Sequence, residues 1–152
     1  MAAADAGISA RRSSFLDCFV QIGVAGEKVI SLSFPDVSDE PDDHPLLDRI
    51  EAYLEGEPDD FDDVEVGLTA PSPHRDVLEA VRSLPYGEQG TVEQLAGMTP
   101  GLDPSDDEDL ATVRQALADN PVPLIIPDHR VRDGPSALPP AVEQKLRNVE
   151  DL

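Results

Sequence analysis

Cysteine is almost missing from this chain of 152 residues: Cys18 stands alone, so no internal disulfide can form and no cysteine-rich zinc module is present. With no base beside it, Cys18 reads as a small buried hydrophobe at the start of a strand. The three histidines, His44, His74 and His129, are scattered without the spacing of metal ligands, so no metal is expected. Tryptophan is absent and aromatics make up 4% of residues, which leaves the core to aliphatic side chains. Lysine occurs only at Lys28 and Lys145. No apolar run approaches the roughly 18 to 20 residues that span a bilayer. Met1 to Arg12 also lacks the basic-then-apolar order of a secretory signal. The expectation is a cytoplasmic protein with no membrane partner and no cofactor.

What the chain has in excess is acid. Its formal charge is -21 and its sequence pI about 4.1. Aliphatic residues still recur at helical spacings, so the carboxylates belong on the surface of a folded domain. Arginine-dominated bases with acid in nearly every loop resemble proteins of salt-loving organisms. In molar salt the Debye length falls to roughly 3 Å, and dense carboxylates then repel one another little. The melting temperature is therefore expected to fall as KCl is lowered from molar concentration. A melt indifferent to salt would remove the halophilic reading.

Residues 1–14 show no periodicity and are expected to form a mobile tail. Phe19, Val20 and Ile22 lead through Ala25-Gly26-Glu27 to Val29, Ile30, Leu32 and Phe34, the pattern of a hairpin. Pro45 suits the first position of a helix whose apolar face is Leu46, Leu47, Ile50, Tyr53 and Leu54, stopped at Gly56. An acidic, then proline-rich stretch over 57–73 reads as a connection. Beyond it, Val77, Leu78, Val81 and Leu84 mark one helix, and Thr91 with Gln94 forms a capping box for the next. Ser105 is placed to cap a third helix, with Leu110, Val113, Ala116 and Leu117 inward and its end at Asn120-Pro121. Val122 to Ile126 reads as a short buried extended segment, and Val142, Leu146 and Val149 mark a last helix. The fold class is α/β (α+β). A hairpin-plus-helix subdomain over 15–70 precedes a mainly helical domain over 71–152. Helices at 91–98 and 106–118 have the order of a helix-turn-helix.

The stretch Asn120-Pro-Val-Pro-Leu-Ile-Ile-Pro-Asp-His-Arg-Val131 resembles the active-site strip of methylated-DNA-protein cysteine methyltransferases, which reads Pro-Cys-His-Arg-Val. Leu84-Pro85-Tyr86-Gly87-Glu88 and Gln94-Leu95-Ala96 recur in the family's order, and the amino-terminal hairpin with His44-Pro45-Leu46 matches more loosely. The resemblance implies a two-part α/β fold with a winged helix-turn-helix-like arrangement in its carboxy-terminal half. It also implies roles: Asn120 matches the hinge asparagine, His129 the histidine after the nucleophile, and Glu150 the glutamate that orients it. A carboxylate behind a histidine fixes its tautomer and stabilises its charged form. His129 can equally be retained for packing, and Arg130 as a structural arginine.

The departures fall on functional positions. Asp128 replaces the cysteine that takes the alkyl group from guanine O6. The arginine that leads the recognition helix falls on Ala111, the family's glycine on Arg114, and the nucleotide-rotating tyrosine on Val92. The glycine-rich closing loop is missing from 132–140. Asp106-Asp107-Glu108-Asp109 suits the dipole of the helix it begins but opposes phosphates. The family positions for DNA contact are thus Ala111, Arg114, Val92 and Arg130, mostly degenerate. The expected protein is monomeric, related to DNA alkylation repair, and lacks alkyl transfer. It would act as a non-catalytic interaction or regulatory protein, with weak DNA binding and an unidentified protein partner. Two alternatives stay open: an alkylated-DNA binder that recruits repair factors, and an enzyme that accepts the alkyl group on Asp128 as an ester. In the first reading Asp128 bonds backbone donors or Arg130.

Overall fold

The structure, a computed structural model, describes residues 6–41, 44–68 and 71–152. Its first part is an antiparallel sheet in the order β1–β2–β3, built from Ala6–Ser13, Cys18–Ala25 and Lys28–Ser33. Gly26, at φ +63, makes the tight β2–β3 turn at no steric cost. Val20, Ile22, Val29 and Leu32 point into the core. A further segment runs beside β3, where Val29 donates to the Glu65 carbonyl and Gly67 to that of Val29.

Strand β1 corrects the expected tail. Residues 6–13 pair with β2 from Ala6 opposite Ala25 to Ser13 opposite Cys18, and the Ala10 amide donates to the Pro41 carbonyl. Residues 1–5 lie outside the described residues. The strand is hard to read because, among its described side chains (residues 7–13), only Ser9 and Ala10 are buried, with no apolar alternation. Its register comes from the β2 backbone.

Helix α1, Pro45–Leu54, starts as the sequence predicts, with proline at its first position and His44 Nδ1 accepting from the Leu46 amide at 3.0 Å. Its buried face is Leu46, Leu47, Ile50, Tyr53 and Leu54. The connection after it is tied down: Arg82 donates to the carbonyls of Phe61 at 2.6 Å and Val64 at 2.9 Å. Helices α2 (His74–Val81), α3 (Val92–Met98), α4 (Asp107–Ala118) and α5 (Pro140–Glu150) follow. α2 packs on α3 and α4, and α3 on α4. The only other β pairing among the described residues after 71 is two isolated bridges, Gly90 with Val131 and Pro123 with Ile126. The buried apolar residues of β2, β3 and α1 to α5 form one cluster.

The Thr91–Gln94 capping box is present in both directions. Two local expectations change. Asp106, not Ser105, caps α4 by accepting from the Glu108 amide at 2.8 Å, while the Ser105 hydroxyl donates to Asp103 Oδ1 at 2.7 Å. Val122 to Ile126 is buried but not extended: Leu124 sits at φ +79 and the Ile126 amide donates back to the Val122 carbonyl at 2.9 Å. Asn120 closes that turn, which no apolar run by itself announces.

Candidate functional site

Asn120, just past α4, spends its side chain on the strip that follows. Its Oδ1 accepts from the Val122 amide at 3.0 Å, and its Nδ2 donates to the Ile126 carbonyl at 3.0 Å and to Asp128 Oδ2 at 3.1 Å. The chain then enters a 3-10 turn over Asp128–Arg130, in which successive side chains leave about 120° apart. Residue 128 is thereby directed away from its two neighbours. Arg147 of α5 anchors the turn by donating to the carbonyls of His129 at 3.1 Å and Val131 at 3.3 Å.

Asp128 has no exposed surface. Its Oδ1 accepts from the Ser136 hydroxyl at 2.6 Å, and its Oδ2 from the Ala137 amide at 2.9 Å and from Asn120. Burial pushes this carboxyl above the usual range, against the pull of those three donors and of His129. Ser136 and Ala137 belong to the short segment between the strip and α5. The carboxylate therefore holds that segment against the strip.

His129 and Arg130 both meet Glu150, at the end of α5. His129 Nε2 lies 2.7 Å from Glu150 Oε2, and Arg130 Nε donates to Oε1 at 2.7 Å. The Gly87 amide donates to Oε1 at 3.0 Å, and the Tyr53 hydroxyl, from α1, donates to Oε2. Burial works to raise the Glu150 carboxyl, but hydrogen bonds from His129, Arg130 and Gly87 outweigh it and bring it to about 2. Glu150 is thus ionised beside His129 Nε2, and the other ring nitrogen of His129 faces the interior. Nδ1 has no hydrogen-bond partner among the described residues. Burial and the charge of Glu150 raise Tyr53 well above the normal tyrosine range.

The structure thus brings Asn120 to Asp128, and His129 to Glu150. Val92 and Arg130, two of the family positions for DNA contact, are both buried in this structure. Val92 is buried at the start of α3, because its aliphatic side chain joins the core. Arg130 is 2% exposed and clamped by Glu150, the Leu84 carbonyl at 2.7 Å and Asp60 at 3.1 Å. Ala111 and Arg114 are exposed on α4, apart from the Asp128 cluster. Sequence reading missed Tyr53 and Ser136. A phenol on an otherwise aliphatic helix face was the available signal for Tyr53; Ser136 carried none.

A small antiparallel sheet with one helix, followed by a helical half whose α3–α4 pair precedes this strip, is the fold of the O6-methylguanine methyltransferases. A solved Mycobacterium tuberculosis O6-methylguanine methyltransferase superposes with a TM-score of 0.73 at 22% identity, over 95% of this chain and 92% of that one. A Mycobacterium tuberculosis OGT in complex with DNA matches at 0.63 and 22%, over 82% and 77%. Residues 72–147 match the family model for the DNA binding domain of 6-O-methylguanine DNA methyltransferase. The chain is 37% identical to a methylated-DNA–protein-cysteine methyltransferase of Methanopyrus kandleri over 112 residues, 70% of this chain and 78% of that protein. To one of Metallosphaera sedula it is 30% identical over 131 residues, 82% and 80% of the two chains. It belongs to the methylated-DNA-protein-cysteine methyltransferase family.

Proposed function

We propose that this protein keeps the family's fold without its alkyl transfer, and serves as a non-catalytic interaction or regulatory member of the DNA-alkylation-repair lineage. The observation that carries this is Asp128 itself. An acceptor atom must come within about 3 to 3.5 Å of the alkyl carbon along an open line of approach. A carboxylate with no exposed surface, held by Ser136, Ala137 and Asn120, offers none unless residues 136 and 137 move away. Carboxylate is also a weak nucleophile toward alkyl carbon. The same points weigh against the ester-forming enzyme.

A second reading, contact with DNA, is supported by the family-model match over 72–147 and by the DNA-bound neighbour. The bare Ala111 and the acidic start of α4 speak for a grip weaker than that of a recognition helix carrying arginine. The test is intact-protein mass spectrometry after incubation with duplex containing O6-methylguanine, in molar KCl. The expected spectrum shows no added methyl group. A gain of one methyl on a peptide containing Asp128 would overturn the proposal.

A further inference from the structure

Beside the turn that precedes α3 lies an open groove of about 540 Å³, lined by Gln89, Thr91, Glu93, Gln94 and Arg132. The chain has 32 acidic and 11 basic residues. Arg11, Arg12, Arg49, Arg130 and Arg147 pair with carboxylates, Arg82 is spent on two carbonyls, and Arg75 and Arg114 are, like Arg132, exposed and without an ion pair or side-chain hydrogen bond among the described residues. Of these last three, Arg132 is the one that lines the groove. Arg132 is exposed and has no ion pair or side-chain hydrogen bond among the described residues.

The neighbouring carboxylate, Asp133, is exposed and engages the Val92 amide, which donates to its Oδ1 at 2.8 Å, rather than Arg132. The backbone of Arg132 is fixed by its amide donating to the Gly90 carbonyl at 3.0 Å, while the Gly90 amide donates to the Arg130 carbonyl at 2.8 Å. Gln94 Oε1 is held by the Thr91 amide at 2.9 Å, so the NH2 end of that side chain remains a free donor. The Gln89 side chain is likewise without a partner among the described residues and exposed. Glu93 is the only acid in the lining. A guanidinium with two amide donors, on a pinned backbone, suits a phosphate oxygen cluster.

We propose that this groove grips a phosphodiester of a nucleic-acid backbone, with Arg132 as the charged donor and Gln89 and Gln94 beside it. The contact is thereby displaced from the start of α4, where Asp106 to Asp109 repel phosphate, to the edge of α3. The inference rests on the DNA-contact reading above, and holds whether or not residue 128 accepts an alkyl group. The test uses the full-length protein and fluorescence anisotropy across a KCl series. Its probes are a plain duplex and a single strand of the same sequence, with inorganic phosphate titrated separately by NMR.

Arg132→Gln is expected to weaken nucleic-acid binding about tenfold and to lower the slope of log affinity against log salt by about one. Arg132→Lys should restore the slope, and Arg75→Gln, at an exposed arginine at the start of α2 with no ion pair among the described residues, should change neither quantity. An Arg132→Gln protein that binds with the wild-type affinity and slope overturns the proposal while leaving DNA contact in place. Wild-type protein that binds neither strand form overturns both. Inorganic phosphate bound by the wild type and lost in Arg132→Gln, with no nucleic-acid binding, would make the groove a free-phosphate site and reject the backbone assignment.

Discussion

Glu150→Ala is expected to cost the fold about 3 to 5 kcal/mol, the usual loss when one partner of a buried ion pair is removed. Glu150 is 4% exposed and takes hydrogen bonds from His129, Arg130, Tyr53 and the Gly87 amide. Truncation leaves four donors without their acceptor, and Arg130 keeps only the Leu84 carbonyl and Asp60. The pH dependence gives an independent measure. The folded-state value of Glu150 is depressed from the usual 4.5 to about 2, so its contribution is complete above about 4.5 and is lost as pH falls toward 2. A shift of that size corresponds to about 3 kcal/mol, in the same range. Urea unfolding in molar KCl, from neutral pH down to acid, reads both numbers. Wild-type stability in Glu150→Ala would mean that the cluster relaxes or rehydrates without cost.

Asp128→Ala is expected to lose about 2 to 4 kcal/mol and to loosen residues 132–139. Ser136, Ala137 and Asn120 would each lose an acceptor; an unmade buried donor costs about 1 to 3 kcal/mol, which applies in full to Asn120 and in part to the half-buried Ser136 and Ala137. The sum is reduced because a desolvated carboxylate, whose own ionisation burial disfavours, is removed with it. Faster amide exchange confined to 132–139, with α4 and α5 unchanged, is the pattern that identifies Asp128 as the staple of this segment. If exchange there stays at the wild-type rate, the segment is held by its own turns and Asp128 is dispensable to it.

The parts of the fold that were legible are those whose signal is local. Pro45 with the face from Leu46 to Leu54 specifies α1, and Thr91 with Gln94 specifies the start of α3, because caps and 3.6-residue periodicity act within a few residues. Strand β1 was not legible, since its hydrogen bonds go to β2 and Pro41 and its side chains are mostly small or exposed. The turn at Val122 to Ile126 was misread because a run of buried aliphatic residues is compatible with an extended segment. The left-handed Leu124 is stabilised from outside the run, by Asn120. Val92 and Arg130, read as family positions for DNA contact, turn out to be buried. Nothing local distinguishes an arginine facing solvent from one facing Glu150, twenty residues on.

From the sequence alone came the lineage, carried by Asn120 to Val131, together with the missing acceptor thiol at 128 and a surface dominated by carboxylates. These depend only on which atoms the chain contains and in what order. What the carboxylate at 128 does was decided by the tertiary structure. Its partners come from Asn120, Ser136 and Ala137, and those of its neighbours from Tyr53, Asp60, Leu84 and Glu150. A buried charge takes its state from the donors and dielectric around it, and folding gathers those from distant parts of the chain.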